Sequence, residues 1–128
     1  MNKRIFILFS VILSVFLFSQ QSIAAAPSNS VKTMATILNY LNHFPNDDEK
    51  EKLRKIVNSK KATPQEKIIA TAIINLQHRA TDADKQKLSE VISDSSTSKS
   101  AKSIAKIVRG LRHKPSSNDK DVLKKYMW

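Results

Sequence analysis

The chain has no cysteine and a single glycine, Gly110, in 128 residues. The first absence excludes disulfide staples and thiolate metal centres, so stability has to come from a packed core. The second excludes phosphate-cradling glycine loops and glycine-flanked nucleophile elbows. Aromatic residues make up 6% of the sequence, too few to build a base-stacking platform beside a basic surface, which argues against nucleic acid as a partner. Runs of alternating β-branched residues are missing, which argues against sheet. The one long apolar run, Ile5 to Phe18, is shorter than the ~20 residues a spanning helix needs.

That run is preceded by Asn2-Lys3-Arg4 and followed by Ser19-Gln20-Gln21-Ser22 and then Ala24-Ala25-Ala26, the three parts of a secretory signal peptide. Residues 1–25 are read as the signal peptide and 26–128 as the mature domain, exported and either periplasmic or secreted, with no membrane span left after processing. Lys3 and Arg4 fall in the leader. Of 22 Lys and Arg, 20 therefore remain against 11 Asp and Glu, a net charge of +9. Such a balance favours anionic partners.

What is present is a repeat. Leu41-Asn42-His43, Leu76-Gln77-His78 and Leu111-Arg112-His113 stand 35 residues apart, as do Ala35, Ala70 and Ala105, and Leu53, Leu88 and Leu123. The three units run approximately 34–68, 69–103 and 104–128. Met34, Ala35, Leu38 and Leu41 fall on one helical face, and the same positions recur as Ile69, Ala70, Ile73, Leu76 and as Ile104, Ala105, Val108, Leu111. A second, shorter helix is expected in each unit, burying Leu53, Ile56 and Val57 and their equivalents. Thr63-Pro64 with Glu66, and Ser98, read as helix starts, as do the Asn46, Thr81 and Ser116 regions. The expected fold is all-α: three tandem αα-hairpins, six helices, in a short solenoid-like array, with a compact helical bundle as the alternative. The Ala column lets neighbouring helices approach closely.

The histidines His43, His78 and His113 are the three histidines of the chain and share one column. In an open stack, equivalent positions lie one repeat apart, on the order of 10 Å, too far for three rings to meet on one ion. The expectation is therefore that each caps the last turn of its helix, and that the chain has no metal site and no cofactor. No catalytic constellation is visible either, because the carboxylates cluster at helix starts, where capping accounts for them. Basic residues are uneven: Lys99, Lys102, Lys106, Arg109 and His113 form a stripe on the fifth helix, with Arg112 and Lys114 beside it. The equivalent stripe one unit earlier, Pro64, Lys67, Thr71, Ile74 and His78, carries far less charge. These residues and the terminal Trp128 are the expected partner-binding set. The functional expectation is a non-enzymatic interaction module for an acidic protein or anionic envelope polymer. A metal-responsive protein using the three histidines is the alternative, and the sequence leaves the oligomeric state open.

Overall fold

The computed structural model describes residues 25–128, so the signal-peptide reading of 1–25 lies, apart from Ala25, outside the described residues. Six helices follow in order: α1 (Asn29–Asn39), α2 (Asp47–Asn58), α3 (Pro64–Ile74), α4 (Asp82–Ser93), α5 (Lys99–Gly110) and α6 (Ser117–Lys124). All begin on a hydroxyl or amide side chain. Ser28, Asn46, Thr63, Thr81, Ser98 and Ser116 each accept a hydrogen bond from a backbone N–H of the first turn, satisfying a donor that no carbonyl can reach. Asn46 with Glu49, Thr63 with Glu66 and Ser116 with Asp119 close full capping boxes. The second helices are not uniformly shorter: α2 and α4 run 12 residues and only α6, at 8, is short.

The repeat columns become the core. Ala35, Ala70 and Ala105 are fully buried, as are Leu53, Leu88 and Leu123, and Leu41, Leu76 and Leu111 are nearly so although they lie beyond their helices. The three odd-numbered helices touch one another pairwise, with the Ala column in their midst, and the even-numbered helices lie outside them. Each even helix packs on the next odd one, α2 on α3 and α4 on α5. Completing the series, α6 packs on α1. The array thus closes into a ring of three αα-hairpins with approximate threefold symmetry, and its apolar residues form one continuous cluster.

Closure also covers the end of the last unit. The final apolar face is covered by α1 rather than left open, and Tyr126 and Met127 pack half-buried against the core, with the Tyr126 hydroxyl donating to Ser103 Oγ on α5 at 3.2 Å. Trp128 stands outside the cluster, 86% exposed. Polar ties bind the units as well: Ser28 Oγ donates to Glu66 Oε1 at 2.6 Å, and Gln65 Nε2 donates to Asp94 Oδ2 at 2.8 Å. Among the described residues no helix is long and apolar enough to cross a membrane.

Candidate metal centre

Closure brings three loops to one pole of the ring. The helices α1, α3 and α5 end at Asn39, Ile74 and Gly110, and each chain then buries a Leu and turns through a His. His43, His78 and His113 all adopt positive φ, at 77°, 67° and 62°, and no other residue among those described does so. That conformation turns each amide inward and each carbonyl onward. The His43 N–H donates to the His113 carbonyl (3.0 Å), His113 to His78 (2.6 Å) and His78 to His43 (3.3 Å), a one-way cycle of three backbone bonds about the pseudo-threefold axis.

The same turn gathers the imidazoles. Their centroids lie 4.9 to 5.5 Å apart, edge against face, and the rings reach solvent. His78 Nδ1 and His113 Nδ1 are 3.1 Å apart, so one donates and the other accepts, which requires one ring of that pair to be neutral with its proton on Nε2. One nitrogen from each of the three residues can be chosen so that all lie within 4.8 Å of one another. Three imidazoles on a tetrahedral zinc, with bonds of ~2.1 Å, hold their nitrogens about 3.4 Å apart. Drawing the rings together by an ångström or so reaches that spacing.

Two expectations are corrected here. The separation of about one repeat, which argued against a shared ion, belongs to an open stack and fails in a closed ring. The capping role fails too: the caps are Tyr40, Asn75 and Leu111, and no histidine ring nitrogen bonds a helix carbonyl among the described residues. The overlooked signal was conformational. The turn after a helix calls for Gly or Asn, and this chain puts His there three times while its one glycine stands elsewhere.

Around the pole the units differ. The groove between the first two loops, ≈ 760 Å³, is lined by Phe44, Lys50, Ile74, Gln77, His78 and Arg79 among others. Its repeat-equivalent, ≈ 620 Å³, has Arg79, Lys85, Arg109, Arg112 and the His78–His113 pair, and no acidic side chain. Of the expected partner-binding set, Arg109 and Arg112 therefore join the histidines, and Arg79 and Lys85 are the members sequence reading missed. Lys114 is exposed next to His113. Lys99 and Lys102 lie toward the start of α5, with Lys99 about 15 Å along the axis from Arg109, and Lys106 stands one turn before Arg109. Lys99 and Lys106 are exposed and Lys102 is half-buried. Tyr40 and Phe44, 70% and 55% exposed, give the first unit's side of this end an apolar character.

Comparison with protein-family models, with curated proteins and with solved structures finds no match for this chain.

Proposed function

We propose that the protein captures a divalent transition-metal ion on His43, His78 and His113. The observation that carries this reading is the convergence of three imidazoles, one nitrogen from each within 4.8 Å of the others, at the pole of the ring. Imidazole is a ligand for zinc, copper, nickel and iron, and three protein ligands leave one coordination position open. Backbone strain supports the same reading. Each histidine holds a left-handed conformation that glycine adopts without cost, so side chains kept there at an expense of ~1 kcal/mol per residue are kept for their own chemistry. The leader supports action after export, where an exposed metal site meets whatever ions the envelope or medium contains.

The test is a calorimetric zinc titration of the mature chain. One ion should bind with micromolar or better affinity, with release of protons, because a protonated imidazole has no lone pair to give. Affinity should therefore weaken as pH falls. In His78→Gly, which suits the backbone and removes a ligand, zinc binding should drop at least tenfold. Heat no greater than buffer for the native chain would end the reading.

A second reading, an interaction module for an acidic protein or anionic polymer, is supported by the exposure of Lys99, Lys106, Arg109, Arg112 and Lys114, none of which has an ion-pair partner among the described residues. Capture of such a partner should weaken with salt and on removal of two or more of these charges.

A further inference from the structure

We infer that the open position of the metal is completed by a phosphate-type oxyanion seated in the groove of Arg79, Lys85, Arg109 and Arg112. This rests on the metal reading above and adds the chemical class of the ligand. Charge balance is the first argument. Neutral imidazoles leave a divalent ion with its full charge, and the adjoining groove lines it with four cations and no carboxylate. Neutral water does not offset that charge and bound hydroxide offsets only one unit, whereas a phosphate carrying close to two negative charges offsets it fully, with oxygens for both the metal and the guanidinium forks.

The second argument is an internal control supplied by the repeat. The two grooves are built from equivalent backbone, yet Phe44 in the first is matched by Arg79 in the second, Ile74 by Arg109 and Gln77 by Arg112. The fold therefore accepts an apolar or neutral residue at these three places, and Arg79, Arg109 and Arg112 are not required for packing, whereas Lys85 is matched by Lys50 and is common to both grooves. The three arginines line one groove with His78 and His113, two of the three rings that would share the ion. A generic basic surface needs no such convergence. A recessed site with planar, two-pronged donors around a metal suits a tetrahedral oxyanion better than a flat polymer surface.

The experiment uses the mature chain loaded with cobalt(II), whose visible bands report the ligands on the metal. Inorganic phosphate, phenyl phosphate and chloride are titrated in at constant ionic strength, and the series is repeated on the Arg109→Ile/Arg112→Gln double variant, which carries the residues of the first groove. Both phosphates should shift the bands saturably and chloride should not. The double variant should keep cobalt affinity within about threefold and lose phosphate affinity at least tenfold. Equal response of the double variant, or equal response to chloride, overturns the oxyanion site while leaving metal capture standing. Phosphate binding of equal strength to the metal-free chain overturns the placement of the anion on the metal. Failure of the native chain to take up cobalt or zinc removes the metal reading and this inference together.

Discussion

A histidine at positive φ carries a cost that glycine does not, and here the cost is repeated three times around one axis. Substituting His78→Gly should therefore leave stability unchanged or raise it by up to ~1 kcal/mol, even as metal binding is lost. His78→Ala keeps the strain and loses the ligand, so it should be less stable than the Gly variant by about 1 kcal/mol. Denaturant unfolding of the two metal-free variants checks this. A Gly variant less stable than the Ala variant would mean that ring contacts, not backbone strain, govern the position. Because the three amides bond in a cycle, changes at two histidines should not add independently.

Asp94 offers a second prediction at this scale. The Ser96 hydroxyl and then the Ser96 amide donate to one of its oxygens, at 2.7 and 2.8 Å, and Gln65 donates to the other, so the folded chain holds this carboxyl below its ordinary 3.8. A carboxylate with a lowered folded value contributes stability that is complete above 3.8 and is lost as pH falls through the folded value. Asp94→Asn should destabilise at neutral pH, and the difference from the native chain should shrink progressively as pH falls below 3.8. A difference that persists in acid would assign the effect to shape rather than charge.

At the scale of the helices, the seam between α6 and α1 is the decisive one. In an open array Leu123 would belong to a terminal, weakly covered helix, but it is as deeply buried as Leu53 and Leu88. Truncation to Ala should thus cost ~2–5 kcal/mol at all three positions, and Leu123→Ala should not be the mild member of the set. Unfolding curves for the three variants decide between a sealed and a frayed last helix. The helices themselves were legible because local chemistry specifies them: Thr63-Pro64 and Ser98 start helices by capping alone, and the Leu and Ala columns bury their faces by periodicity alone. The position of the histidines relative to the helix ends was not legible, because Leu41, Leu76 and Leu111 continue the apolar spacing past the last hydrogen-bonded turn. Periodicity followed burial, and burial outlasted the helix.

At the scale of the whole molecule, a 35-residue period is compatible with an open stack and with a ring, since both bury the same columns. What separates them is the rotation between successive units, a packing result that repeat spacing does not encode. The candidate site depended on that rotation: only a turn of about 120° per unit brings the third His to the first, so residues distant in sequence became neighbours through symmetry. The basic residues on α5 were readable from their spacing, whereas Arg79 and Lys85 took their meaning from the loop they face.

A closed ring also has no privileged beginning. Trp128 is equivalent to Ser93, and the helix cap Ser28 to Ser98, so the gap between the chain's last residue and its first cap corresponds to the short connector Asp94–Thr97. Joining those ends and cutting instead within residues 59–62 would make α3 the first helix and α2 the last while keeping every interhelical contact. Such a circular permutant of residues 26–128 should melt within a few degrees of the original and bind zinc with the same stoichiometry, as measured by thermal denaturation and titration. The order in which the helices leave the ribosome would change, and the sealed threefold object they assemble would not.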